Sequence, residues 1–446
     1  MDDSSQNSFM LKGDICFSRS KDTLETVENG YLLCQGGKSG GVFSRPPAAG
    51  AGLPLADCSG KLVIPGLVDL HMHAPQYAFR GLGMDKELLD WLNSRAFPEE
   101  SKYADRGYAE RSYRRLVEDL VRGPNTRVCL FATIHTGAVF LLMDLLEASG
   151  LVCLAGRVNM DRNCPEGLRE ESAEEAAAET RRWLEGCGGY RNVKPILTPR
   201  FVPACSDRLM EALGEIREEF GLPVQSHLSE NRREIEWVKE LHPGSSCYGG
   251  VYDRFGLFGQ GPTVMAHCVH SGEEETALLA GRGVWVAHCP QSNTNLSSGA
   301  APMRRFLDRG IRAGLGSDVA GGSHSSIFRA MADAMGVSKL RRVLLDSGEA
   351  PLTLEEAFWL GTAGGGSFFA AAGGEGAGPA DEDRSQDRSA GPGSFAAGCD
   401  LDALVIDDGE LAAPFDLSIR DRLERVVYLS EDRHIIGKYV RGVRIR

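Results

Sequence analysis

The sequence lacks several features that would fix a function class at once. Its most apolar stretch, Val128 to Met143, is broken by Thr133, His135, Thr136 and Gly137 and closed by Asp144. A bilayer span needs about 20 mostly apolar residues, so this stretch reads as a buried strand running into a helix. The 12 cysteines never fall in a C-x-x-C pair. That spacing excludes a cysteine-based zinc site and a disulfide frame, and predicts reduced, buried thiols. Positive charge is in deficit: 49 Lys and Arg face 62 Asp and Glu, for a net charge of −13. Such a balance argues against nucleic acid and against anionic membranes as partners. No G-x-G-x-x-G or P-loop context surrounds Gly321-Gly322, so that pair is read as backbone geometry. Internal repeats are absent too. The acidic, polar start from Met1 to Gln6 has the wrong chemistry for a secretory or transit peptide, and the expected compartment is the cytoplasm.

What is present belongs to a soluble globular protein, 42% hydrophobic and 25% charged over 446 residues. A chain of this length can bury roughly three quarters of its unfolded surface without disulfides. It suits a large α/β barrel with an added module. Eight apolar runs end at polar residues and alternate with helical periods: 62–69, 128–134, 151–158, 193–197, 223–226, 263–266, 283–287 and 312–316. One intervening helix carries a capping box, Ser172-Ala-Glu-Glu175, and closes near Gly186. The pattern predicts a (β/α)8 TIM-like barrel over residues 63–372.

The chain's ends read differently. Residues 1–62 and 395–446 carry alternating β patterns, among them Asp402-Ala-Leu-Val-Ile406, Arg425-Val-Val-Tyr-Leu429 and Lys438-Tyr-Val-Arg441. They are expected to pair into a small β-sandwich beside the barrel. Two segments, 36–54 and 373–394, are Gly/Pro-rich or charged and are expected to be flexible insertions.

Chemistry concentrates at the ends of the runs. His71 and His73 stand at i and i+2 on the first strand, so both imidazoles point to one side. By itself H-x-H is a weak signal. His227 closes the fifth run, His267 the sixth, and Asp318 follows the eighth. Metal-binding or proton-handling groups thus end four strands on one rim, the carboxyl face where this fold keeps its chemistry. His288, ending the seventh run, is read evenly as a hydrogen-bonded rim residue or a support for the site. His135, His242 and His270 read as structural or exposed, His324 and His434 as surface.

Pro65-Gly-Leu-Val-Asp-Leu-His-Met-His73, Ser226-His-Leu-Ser-Glu230, Ala266-His267 and Gly316-Ser-Asp318 resemble the amidohydrolase superfamily. More narrowly, His73-Ala-Pro-Gln-Tyr77, Phe131-Ala-Thr-Ile-His135, Pro199-Arg-Phe201, His227-Leu-Ser-Glu-Asn231, His288-Cys-Pro-Gln-Ser-Asn293 and Asp318-Val-Ala-Gly-Gly322 resemble the guanine deaminases within it. The likeness runs from about residue 60 to 370 and returns near the C-terminus. It departs in the two insertions and at Gly123-Pro-Asn-Thr126, where the family has a Gly-Thr-Thr turn.

The resemblance implies one metal per subunit, held by His71, His73, His227 and Asp318. Binuclear relatives carry a bridging lysine at the end of strand four, whereas Lys194 lies at the start of that strand here. Zinc suits such donors, and iron fits their type as well. Glu230 is implied as the proton shuttle, His267 and Asp318 as its catalytic partners. Gln76, Arg200, Phe201 and His267 are implied as substrate contacts, with Trp91 and Phe97 near the mouth. The implied reaction is hydrolytic deamination of guanine in purine catabolism by a homodimer. Two rivals stay open: a deaminase or chlorohydrolase of the same superfamily acting on a pterin, adenine derivative or triazine, and a metal-free scaffold relative.

Overall fold

A computed structural model describes residues 7–373 and 391–446. The N-terminal segment forms β1 (Phe9–Ser20), β2 (Thr23–Gln35), β3 (Lys38–Phe43) and β4 (Leu55–Pro65). The middle of the chain supplies β5 (Leu67–His73), β6 (Asn125–Phe131), β7 (Val152–Gly156), β8 (Val158–Asn159), β9 (Val193–Pro195) and β10 (Thr198–Pro199). There follow β11 (Val224–Leu228), β12 (Thr263–His267), β13 (Trp285–His288) and β14 (Ala313–Leu315). The C-terminal segment adds β15 (Ala403–Ile406), β16 (Ile435–Val440) and β17 (Val443–Arg444).

The middle strands alternate with helices and make two parallel four-stranded sheets, β5-β6-β7-β9 and β11-β12-β13-β14. This is a TIM-barrel-like α/β fold. A parallel bridge between Leu197 and Val224 links the two sheets on one side. On the other, the amide of Asp318 donates to the His71 carbonyl at 2.8 Å and that of His73 to the Val319 carbonyl at 3.1 Å. Every residue of β5 and β6 is buried, as strands covered on both faces should be. The helix Arg106–Arg122 shows what covers them. Asp105 caps it by accepting from the Tyr108 amide at 2.9 Å, and Ala109, Tyr113, Leu116 and Leu120 form its buried stripe.

The ends do pair with each other. They build one seven-stranded sheet in the order β17-β16-β15-β4-β1-β2-β3, with Ala403 opposite Pro65 and Ile406 opposite Leu62. Four expectations need correction. The first run, 62–69, is split: Leu62–Pro65 belongs to the terminal sheet, and only from Leu67 does the chain enter the barrel. Gly66 makes the transition, because a Cβ there would lie 2.2 Å from Thr126 Oγ1. Segment 36–54 is not a loose insertion, since β3 pairs with β2 and the amide of Ser39 donates to the Cys399 carbonyl at 2.8 Å. Backbone pairing supplies what its poor apolar content could not.

Arg425-Val-Val-Tyr-Leu429 is helix, not strand. It ends the helix Ile419–Leu429, which Ser418 and Asp421 start with a reciprocal capping box and which buries Leu423, Val426 and Val427. His434 is buried, not on the surface, because its Nδ1 accepts from the Glu431 amide at 2.9 Å and turns the ring inward. Most of 373–394 lies outside the described residues; of its last part, Gly391 to Ser394 is buried. All 12 cysteines are free. Among the described residues no helix is long and apolar enough to cross a membrane.

Candidate active site

The carboxyl ends of β5, β11 and β12 and the turn after β14 meet at one cavity. His73, Gln76, Trp91, Arg200, Phe201 and Glu230 are among its lining residues, together with His227, His267 and Asp318. Donor atoms converge on a point. His71 Nε2 lies 3.2 Å and His73 Nε2 3.5 Å from Asp318 Oδ1, and His73 Nε2 faces His227 Nε2 at 3.1 Å. His267 Nε2 stands 3.8 Å from Asp318 Oδ2 and 3.5 Å from Glu230 Oε2. The family resemblance implies His267 as a catalytic partner and substrate contact; the geometry also groups it with His71 and His227 as a metal donor set.

Supporting groups fix which nitrogens face inward. His227 Nδ1 lies 2.6 Å from the Arg200 carbonyl, an acceptor only, so that nitrogen carries the hydrogen and Nε2 is a bare lone pair. His267 Nδ1 is held in the same way by Asn293 Oδ1 at 2.8 Å. His71 Nε2 and His73 Nδ1 are buried and make no hydrogen bond among the described residues. His71 Nε2, next to Asp318, is an unsatisfied imidazole nitrogen beside a carboxylate, the donor chemistry a divalent cation requires, and these residues fit one. Backbone geometry at the rim is unusual too: Ser229, His267, Cys268 and Asp318 are held at φ 47°, 73°, 50° and 46°. Left-handed conformations of this kind in non-glycine residues cluster at functional sites.

Electrostatics follow from burial and from this crowding. Burial drives His73 and His227 well below the usual imidazole range, and the neighbouring His71 adds to both shifts. Burial also pushes the Asp318 carboxyl up, but His71, His267 and His73 outweigh it and hold the group well below the carboxylate range. Glu230 moves the other way, raised well above that range by burial and by the charge of Asp318. Its Oε1 accepts from Ser298 Oγ at 3.1 Å. The two acidic groups of this cavity are thus pushed in opposite directions, the arrangement that separates a charge carrier from a proton carrier. His288, at the end of β13, is pushed down to about 3 by burial and by His267.

Three further residues had no role assigned from sequence. Glu234 accepts from the amides of Glu230 and Asn231 at 3.0 and 3.2 Å, and from Tyr248 Oη at 2.9 Å. Asn293 and Ser298 hold His267 and Glu230 as described. Asn231 and Glu234 open the helix Arg232–Leu241 with a capping box, a local signal that points to Glu234. Arg200 is not in a surface ion pair; it is buried and pairs with Glu100. Phe97 lies beneath it, 4.9 Å from the guanidinium carbon. The Gly321-Gly322 pair is backbone geometry: a Cβ on Gly322 would lie 2.0 Å from the Ser317 carbonyl oxygen. His135, His242 and His270 do not line the cavity, and His324 is exposed.

Known proteins share this architecture. The guanine deaminase of Dictyostelium discoideum is 38% identical over 396 residues, covering 87% of this chain and 84% of its own. That of Rattus norvegicus is 39% identical over 396 residues, covering 86% and 83%. The crystal structure of guanine deaminase from C. acetobutylicum with bound guanine in the active site superposes with a TM-score of 0.91. Its identity is 42%, over 98% of this chain and 100% of that one. Atrazine chlorohydrolase from Arthrobacter aurescens TC1 complexed with zinc shares the fold, at 17% identity and TM-score 0.81 over 98% and 94%. Residues 62–371 match the Amidohydrolase family. With the donor cluster at the strand ends, that match over most of the chain makes this protein a member of the amidohydrolase family.

Proposed function

We propose that this protein is a metal-dependent guanine deaminase, which hydrolyses guanine at C2 to xanthine and ammonia. The observation that carries the reading is one cavity holding the imidazole–carboxylate cluster, Glu230 and a buried Gln76–Arg200 pair. The guanine deaminases at 38% to 42% identity support it.

One zinc ion per subunit, on His71, His73, His227 and Asp318, is the metal we assign, with His267 Nε2 close enough to join them; iron suits the same donors. A metal in that position supplies a water that ionises at about neutral pH. Glu230 then takes the proton of the attacking water and delivers it to a ring nitrogen. It next takes the remaining proton of the hydroxyl added at C2 and passes it to the amine, so that the C2–N bond breaks as the new carbonyl forms. Asp318 orients the water, and His267 steadies the charge that develops on the ring. Gln76 and Arg200 hold the edges of the purine and Phe201 covers a face.

Residues 67–372 are read as the catalytic barrel, its two four-stranded sheets being halves of one ring. Residues 7–65 and 395–446 form the accessory β-sandwich module, and 373–394 an insertion between the two. We further place the enzyme as a cytoplasmic homodimer in purine catabolism. The deciding experiment incubates metal-analysed protein with guanine and follows loss of guanine absorbance and release of ammonia. A pterin, adenine and a triazine run in parallel. Turnover of one of these in preference to guanine would overturn the assignment.

A further inference from the structure

Glu100 is the last residue of the short helix Phe97–Glu100 and is 1% exposed. Its Oε1 accepts from Gln76 Nε2 at 2.7 Å and from Arg200 Nη2 at 2.9 Å, while Oε2 accepts from Arg200 Nη1. Gln76 and Arg200 line the cavity; Glu100 does not. One hidden carboxylate therefore binds both recognition side chains from behind. On its other side, Gln76 Oε1 accepts from the Ala320 amide at 3.2 Å. An amide N–H only donates and a carboxylate only accepts, so these two partners leave the Gln76 carboxamide a single orientation. Its nitrogen keeps one N–H to spare. Arg200 keeps three of its five N–H groups and has no acceptor to offer. The carboxylate also offsets the guanidinium charge, so the pair presents donors without a net charge.

We propose that Glu100 is a positioning residue that sets substrate specificity: by holding Gln76 and Arg200 as a neutral, donor-presenting pair, it selects a 6-oxo purine over a 6-amino one. A carbonyl and bare ring nitrogens satisfy those donors. An exocyclic amine opposite them leaves buried N–H groups facing N–H groups, which sites built on hydrogen bonding reject strongly. The inference rests on the deaminase reading above and names what makes its pocket choose guanine.

The test compares guanine with 2,6-diaminopurine, which offers the same C2 amine and differs at position 6. Both are assayed with the wild-type metalloenzyme, Glu100→Gln and Glu100→Asp. Glu100→Gln keeps the shape but offers Arg200 one acceptor oxygen in place of two. We expect it to raise KM for guanine by about 10- to 100-fold, with a smaller change in kcat and unchanged metal content. The kcat/KM ratio of guanine to 2,6-diaminopurine should fall by a similar factor. Glu100→Asp, which keeps the charge, should recover part of the ratio, and it carries the test alone if Glu100→Gln does not fold. Parallel loss on both substrates, with the ratio preserved, would make Glu100 merely structural and overturn the proposal. A wild-type enzyme inactive on guanine would instead overturn the functional reading beneath it.

Discussion

Two buried charge clusters in this protein look alike by composition and differ in how they are satisfied. One joins the barrel to the terminal sheet. There Arg127 on β6 donates to Asp402 Oδ2 at 2.6 Å and to Asp400 Oδ2 at 2.8 Å. Lys38 takes Asp400 Oδ1 at 2.6 Å, and the Arg441 amide takes Asp402 Oδ1 at 2.9 Å. Each carboxylate oxygen there has a partner. The other cluster, at the strand ends, gathers four imidazoles and two acidic groups yet leaves His71 Nε2 and His73 Nδ1 without a hydrogen bond. Saturation marks a joint. Convergent unsatisfied donors, arranged by second partners such as the Arg200 carbonyl and Asn293, mark a site.

The sharpest way to break this contrast is one substitution in each cluster. Glu230→Gln should lower guanine turnover by about 10²- to 10⁴-fold, the usual cost of losing a positioned acid–base group. Metal content, measured by elemental analysis, should stay near that of the wild type, and thermal stability should barely change. An emptied metal site would show that Glu230 holds the ion. Arg127→Met should do the reverse. It strands two buried carboxylates, at a cost of about 3–5 kcal/mol, read as a lower unfolding midpoint. Turnover per bound metal in the protein that remains folded should be unchanged. If both variants lost activity equally at constant stability, the distinction between joint and site would fail.

A smaller effect is expected where the two kinds of cluster overlap, at Arg200 and Glu100, a buried ion pair whose arginine lines the cavity with N–H groups to spare. Arg200→Lys keeps one charge but replaces a planar fork with a single point that can serve only one edge. Guanine kcat/KM should fall by about one to two decades with the metal retained, and Gln76→Ala should fall less. Equal turnover in Arg200→Lys would shift purine recognition onto other lining residues.

How much of this was legible in the sequence depends on the range of the signal. His71 and His73 share a strand, and His227, His267 and Asp318 each end an apolar run, so local pattern sufficed to gather them. Glu100 was invisible. It sits in a Pro-Glu-Glu turn that reads as an ordinary helix start, and tertiary folding alone brings it to Arg200. The strand misread at Arg425–Leu429 fails for another reason. A five-residue segment with four apolar residues carries too little period to separate strand from helix, and the deciding signal, Ser418 three residues before Asp421, lies outside it. For β3 no local signal existed, because its order comes from pairing with β2 and from Cys399 far along the chain.

The smallest expected effect tests an exception on the joint's own side. Lys438 on β16 is fully buried, and its Nζ donates to the carbonyls of Leu120 at 2.7 Å and Gly123 at 3.0 Å, at the end of the helix Arg106–Arg122. Its hydrogen bonds are satisfied, but among the described residues its charge has no ion-pair partner. Burial, with Arg446 adding repulsion, pushes the amine down to about 7, against the milder pull of Cys153, Asp432 and Asp402. In the unfolded chain it titrates near its ordinary 10.5. Between those values the unfolded state binds more protons than the folded one, so this group makes stability rise with pH across that window. A neutral amine still has hydrogens for both carbonyls. Lys438→Met lacks the titration and the two bonds, so it should be less stable than wild type at high pH. The gap should narrow by up to about 1.4 kcal/mol per pH unit on going down towards neutrality. Unfolding midpoints of both proteins, taken at several pH values from about 7 to 10, give that gap directly. A gap that stays constant would mean that Lys438 keeps its proton when folded, and that the joint neutralises charge as completely as it satisfies hydrogen bonds.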